Sequence, residues 1–228
     1  MKVVFVHGAC VTDASWWWNR MVEPLARHGI ATTAVELPSC ESGGDLHADA
    51  DAVTAALDGE PTVLVGHSYG GMVVTDAAAG RPDVRHLVYL TAAVPAEGES
   101  LATLSGPTPA PFLDPSEDGT VGVKGEALPE LFMQDCDAEA VRGALDRLTR
   151  QSLTAFGQAP RGIGWRTTPS TYVVCAEDRA TLPARQREFA ARAGRVVEIP
   201  TGHHPFLSHP DLFAQVIADI TENVGGRG

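Results

Sequence analysis

The run Val63-Leu64-Val65-Gly66-His67-Ser68-Tyr69-Gly70-Gly71 is the key to the chain. A short apolar stretch ends in G-x-S-x-G, and the segment behind it, Tyr69–Ala79, has helical periodicity. A serine held between a strand and a helix sits on a strained turn. Bulky side chains at Gly66 or Gly70 would there clash with neighbouring backbone. Such a turn lifts the Ser68 hydroxyl clear of the sheet, at the carboxyl end of the strands, where open α/β sheets hold their ligands. It also aims the first amides of the following helix at the same spot, which favours negative charge. Ser68 is therefore the candidate nucleophile. His67 reads as a packing residue, because its place in the motif turns it away from that hydroxyl.

Working outward, short apolar runs alternate with helix-period segments. Lys2–Val6, Ala31–Leu37, Thr62–Val65, Arg85–Thr91, Ser170–Cys175 and Arg195–Ile199 read as strands. Between them lie a helix capped by Ser15 and ended by Gly29, then Leu46–Leu57, Tyr69–Ala79, Pro183–Arg192 and Leu212–Asn223. This rhythm implies the α/β class, with a mostly parallel sheet of about six strands flanked by helices. It breaks between Pro95 and Trp165, where Pro95, Pro107, Pro109, Pro111, Pro115 and Pro129 fall, with helix-like pieces at Leu128–Met133 and Ala138–Leu148. No further sheet is expected there. The expectation is one domain, with a core of residues 1–94 and 166–228 and an inserted, mainly helical cap over 95–165.

A serine nucleophile needs a base, an acid and donors for an oxyanion. Thr201-Gly202-His203-His204-Pro205-Phe206 follows the last strand, at the same sheet edge as Ser68. His203, beside the flexible Gly202, is the candidate base, with His204 as the alternative. His28, His47, His86 and His209 read as surface or structural groups. Cys175-Ala176-Glu177-Asp178 follows another strand. Asp178 is preferred as the acid over Glu177 because it has one more residue of loop, and Glu97 is an outside candidate. The order Ser68, Asp178, His203 separates this arrangement from the chymotrypsin and subtilisin orders. The backbone amides of Ala9, in His7-Gly8-Ala9-Cys10, and of Tyr69 are the candidate oxyanion donors; His7 reads as a brace for its loop.

The net charge of −12 over 228 residues argues against nucleic acid and anionic membrane surfaces as partners. The opening MKVVFVHGAC lacks the features of a secretion signal, and no run approaches the roughly 18 apolar residues of a membrane span. Four cysteines (Cys10, Cys40, Cys136 and Cys175) form no C-x-x-C pair and no cluster at zinc spacing. Free thiols, no metal and a cytoplasmic location are the expectation. Aromatics make up only 6% of the chain, so Trp16, Trp17, Phe132 and Trp165, together with Met133, are the candidates for an apolar substrate wall. Oligomeric state is not legible.

Taken together, FVHGAC, GHSYGG, YVVCAEDRA and TGHHPFLSHPD resemble the α/β-hydrolase superfamily, and within it the small esterases and hydroxynitrile lyases that include plant methylesterases. The resemblance implies Ser68, His203 and Asp178 as the catalytic residues, oxyanion amides at Ala9 and Tyr69, and no cofactor. With the apolar wall expected from the aromatics above, a small, largely apolar carboxylic ester is the expected substrate; a lactone, thioester or amide would use the same triad. Lyases of that group carry a lysine after the catalytic histidine. Here His204 stands there, and the only lysines, Lys2 and Lys124, lie elsewhere, which disfavours the lyase. A small-molecule binding protein on the same scaffold is the alternative of a different class.

Overall fold

The computed structural model describes residues 1–225 except 42 and 107, and the backbone alone of residue 41. Pro107, one of the prolines that break the rhythm, lies outside them. Six strands, β1 (Lys2–Val6), β2 (Ala31–Val35), β3 (Thr62–His67), β4 (Val84–Leu90), β5 (Ser170–Cys175) and β6 (Arg195–Ile199), form one sheet in the order β2-β1-β3-β4-β5-β6. Every neighbouring pair runs parallel. Position in the sheet explains the sequence of each strand. The interior strands β3 (TVLVGH) and β5 (STYVVC) are buried at every residue, whereas the edge strands β2 (ATTAV) and β6 (RVVEI) are mostly uncovered. A parallel sheet covered on both faces asks for continuous apolar runs in its middle only.

Successive side chains alternate between the two faces. Val4, Val6, Leu64, Leu87, Tyr89, Tyr172 and Val174 pack on one side, with residues of the helices Leu46–Ala55, Gly70–Ala77 and Pro183–Ala190. Val3, Phe5, Val63, Val65, Val88, Leu90 and Val173 pack on the other, under Asn19–Arg27 and Pro210–Gly225. Two apolar layers thus clamp the strands, and all six carboxyl ends open on one rim.

Two local readings are corrected. The first helix begins at Ala14, capped by Asp13, whose carboxylate accepts from Trp16 N at 3.2 Å. Ser15 lies inside that helix and donates its hydroxyl to Asp13. The run also breaks at Trp18 into Ala14–Trp17 and Asn19–Arg27. The segment over residues 95–165 holds the short helices Leu101–Ser105, Ala138–Leu145 and Leu153–Gly157. It also holds an antiparallel sheet of Leu113–Pro115, Thr120–Val123 and Gln151–Ser152. These strands of three, four and two residues are too short for alternation to be seen in the sequence. Their register is fixed instead by Arg150, which reaches Asp114 and Thr120. Trp165 Nε1 donates to Pro95 O at 2.8 Å, tying the two ends of the segment together. Among the described residues no helix is long and apolar enough to cross a membrane.

Candidate active site

Ser68 sits at φ 53°, a left-handed conformation that costs a non-glycine residue energy and persists only where the surroundings over-determine it. Glycine supplies those surroundings. A Cβ on Gly66 would lie 2.6 Å from Gly70 O; on Gly70, 2.7 Å from Val6 O; on Gly71, 2.1 Å from Ala93 O. The turn is pressed against β1 on one side and the end of β4 on the other, with only hydrogens between. The loop after β1 also comes near, since a Cβ on Gly8 would stand 3.2 Å from Ser68 Cβ. Gly8, Ala9, Ser68 and Tyr69 all line one cavity.

His203 and Asp178 meet at the same rim. His203 Nδ1 donates to Asp178 Oδ2 at 2.7 Å. The carboxylate also accepts from Thr91 Oγ1 at 2.6 Å, from Gln186 Nε2 at 3.3 Å, and at its other oxygen from the amides of Ala180 (2.8 Å) and Thr181 (3.0 Å). Burial works to raise its pKa, yet the charge and hydrogen bond of His203, with the Thr91 and Thr181 donors, hold it below the usual carboxylate range. A group that only accepts is ionised, and its partner imidazole is fixed with the proton on Nδ1. Nε2 is then left as the basic nitrogen. His203 lines the cavity with Ser68.

The other acid candidates lie elsewhere. Glu177 and Glu97 are exposed, and Glu97 faces Arg166 at 3.5 Å. His204 also borders the cavity, but its Nδ1 donates to Phe132 O at 2.9 Å. Burial, then the neighbouring His203, pushes its pKa down to about 3, so it stays neutral. His67 is a structural tie: its Nε2 donates to the His203 carbonyl at 3.0 Å, joining the Ser68 turn to the histidine loop. Burial beside His203 and His204 keeps it neutral too. His7 Nδ1 donates to Gly8 O at 2.8 Å, bracing its own loop.

Gly202 serves for close approach rather than for flexibility. Its amide donates to Asp135 Oδ2 at 2.7 Å, and a Cβ there would meet Asp135 Oδ1 at 2.4 Å. Sequence reasoning missed Asp135, Thr91 and Gln186. Only Thr91, at the end of β4, carried a usable signal, since strand ends on this rim face the site.

The cavity encloses about 790 Å³. Of the wall candidates, Trp17 and Phe132 line it, with Phe112, Phe156, Leu104 and Leu128. Trp16, Met133 and Trp165 do not belong to its wall. The Trp16 ring carries the Arg147 guanidinium at 4.5 Å, Met133 is buried in a core layer, and Trp165 is bonded to Pro95. Apart from histidines, Arg185 is the one charged side chain in the described wall. It is bonded to Glu188 and to Leu104 O and stacked on Phe189. Among the described residues no group of His, Cys, Asp and Glu side chains is arranged to hold a metal ion.

A serine on a glycine-cleared turn, a histidine–carboxylate pair and an apolar cavity on a parallel sheet define an α/β hydrolase, and the comparisons agree. Residues 3–216 match the model of the alpha/beta hydrolase family, to which the chain belongs. It is 28% identical over 250 residues to a pyrethroid hydrolase of Sphingobium wenxiniae, covering 96% of this chain and 87% of that protein. It is 26% identical over 258 residues to Methylesterase 2 of Arabidopsis thaliana, covering 96% and 95%. The crystal structure of a pyrethroid hydrolase from Sphingobium faniae superposes with a TM-score of 0.83 at 26% identity, over 97% of each chain.

Proposed function

We propose that the protein hydrolyses a neutral, largely apolar carboxylic ester through an acyl-enzyme on Ser68. The enzyme is a carboxylic ester hydrolase, like the esterases among its relatives. His203 Nε2 takes the Ser68 proton as the hydroxyl attacks the ester carbonyl, and the imidazolium so formed is stabilised by Asp178 at 2.7 Å. The amides of Ala9 and Tyr69 receive the oxyanion; losing one such donor typically costs about 2.7–4 kcal/mol of transition-state stabilisation. His203 then protonates the leaving alcohol, and a water it activates releases the acid. Thr91 and the Ala180 and Thr181 amides keep Asp178 ionised and oriented throughout.

The observation that carries this reading is the His203–Asp178 pair opening, with Ser68, on a single cavity. For the substrate, its wall of aromatic and aliphatic side chains and its volume of about 790 Å³ favour an uncharged ester with room for an aromatic or branched group. A panel of p-nitrophenyl esters tests both parts. Ser68→Ala is expected to lower kcat by about 10⁶, and a loss below about 100-fold removes the nucleophile reading. Faster turnover of anionic than of neutral acyl groups would remove the substrate reading.

A further inference from the structure

A chain of buried polar groups runs from Tyr69, in the cavity wall, back behind the oxyanion loop. Asp49, 0% exposed, accepts the Tyr69 hydroxyl at 2.6 Å, the Ser39 hydroxyl at 2.6 Å and the Ser39 amide at 2.9 Å. Ser39 Oγ accepts in turn from Gln151 Nε2 at 2.8 Å, and Gln151 Oε1 accepts from the Cys10 amide at 2.9 Å. Burial raises the Asp49 pKa against the opposing Ser39 and Tyr69 hydrogen bonds, and with the carboxyl ionised the direction of every link is set. Both hydroxyls must donate to a carboxylate, and the glutamine amide can bridge only one way between a hydroxyl already donating and a backbone N–H.

Cys10 follows Ala9 and stands at φ 60°, a left-handed position that needs outside support. That support comes from the inserted segment. Thr149 N donates to Cys10 O at 2.9 Å, Thr12 N donates to Arg147 O at 3.0 Å, and Val11 bridges Leu148 antiparallel. Cys10 Sγ donates to Val121 O at 3.4 Å. Residues 10–12 and 147–149 therefore form a short ladder, which Gln151 extends by its side chain.

We infer that Gln151 is a positioning residue for the oxyanion pocket: with Asp49 and Ser39 it holds Ala9 and Tyr69, the two amide-bearing residues, against one buried carboxylate. The inference rests on the serine-hydrolase reading above. Gln151 lies outside the cavity lining. It fixes the peptide next to Ala9 while Asp49 fixes the side chain of Tyr69, so the spacing of the two donors depends on the inserted segment being seated. A shift of about 1 Å in such a pair can cost about 100-fold in rate.

Gln151→Met keeps the shape and removes both links. Expected are a fall of about 100-fold in kcat and a matching loss of affinity for a boronic acid that forms a tetrahedral adduct with Ser68. Affinity for the alcohol product, which has no carbonyl or carboxylate oxygen to place between the two amides, should stay within about 3-fold. Ser39→Ala, which cuts the chain one link further back, should lose about 10-fold in the same two quantities. Thr221→Ala, a buried hydroxyl in the helix Pro210–Gly225, gives a destabilised control whose boronate-to-product affinity ratio should be unchanged. Wild-type kcat and boronate affinity in folded Gln151→Met overturn the inference, as does an equal loss for boronate and product. If Gln151→Met fails to fold, unchanged kcat in Ser39→Ala does the same. Activity retained by Ser68→Ala would instead overturn the hydrolase reading beneath it.

Discussion

Replacing Asp178 by asparagine removes one charge, and the surrounding donors dictate what the amide must do. Oδ1 of Asp178 receives two backbone amides, Ala180 N at 2.8 Å and Thr181 N at 3.0 Å, which only an oxygen can satisfy. The asparagine NH₂ is thereby forced to the Oδ2 site, opposite His203 Nδ1 and Gln186 Nε2. Gln186 cannot turn over to help. Its Oε1 holds Cys175 N at 2.8 Å, and its Nε2 serves the Cys175 and Thr181 carbonyls. His203 Nδ1 becomes the acceptor, the ring proton moves to Nε2, and the nitrogen that should take the Ser68 proton already carries one. The expected loss in kcat is about 10⁴, or about 5.4 kcal/mol of barrier. Steady-state hydrolysis of a p-nitrophenyl ester measures it, with the melting curve as the check on folding. NMR of ring-labelled histidine should find the His203 proton on Nε2. A folded Asp178→Asn enzyme within about 10-fold of wild type would refute the tautomer argument.

Gly71→Ala places a Cβ 2.1 Å from Ala93 O, backbone that has no way to yield; a loss of about 3 kcal/mol or more is expected in denaturant melts. His204 has its pKa depressed from 6.5 to about 3 on folding. Its contribution to stability is therefore complete above 6.5 and lost as pH falls toward 3, because the unfolded chain binds the proton first. His204→Phe should flatten the decline of Tm between those limits, and an unchanged slope would exclude it as a source. Burial holds the thiols of Cys10, Cys40 and Cys136 up at about 12. Iodoacetamide at pH about 8 should thus leave the native enzyme unmodified at these sites and alkylate them after unfolding; rapid native labelling would contradict this.

The sheet and the positions of Ser68, Asp178 and His203 were legible because their signals are local. Glycines around the turn and short apolar runs ending at one rim are properties of a few adjacent residues. What was not legible depends on distant partners. Trp16 and Trp17 are neighbours in one helix, yet one faces Arg147 and the other the cavity, and tryptophan content alone does not reveal rotation about a helix axis. Ser15 and Asp13 are both good caps, and the choice followed from Arg147, 134 positions away, gripping Asp13. The strands of the inserted segment, Thr91 beneath Asp178, and the path from Asp49 to Cys10 all arise from pairings between remote stretches, for which spacing carries no mark.

The bond from Trp165 to Pro95 pins the two ends of the segment over residues 95–165 to each other like the neck of a pouch. A segment brought in from a relative with a different appetite for esters would also have to match the core at residues 10–12 and at Asp76, which Arg147, Thr149 and Arg161 hold. Residues 10–12 should travel with the segment in such a chimera, since they form one ladder with residues 147–149.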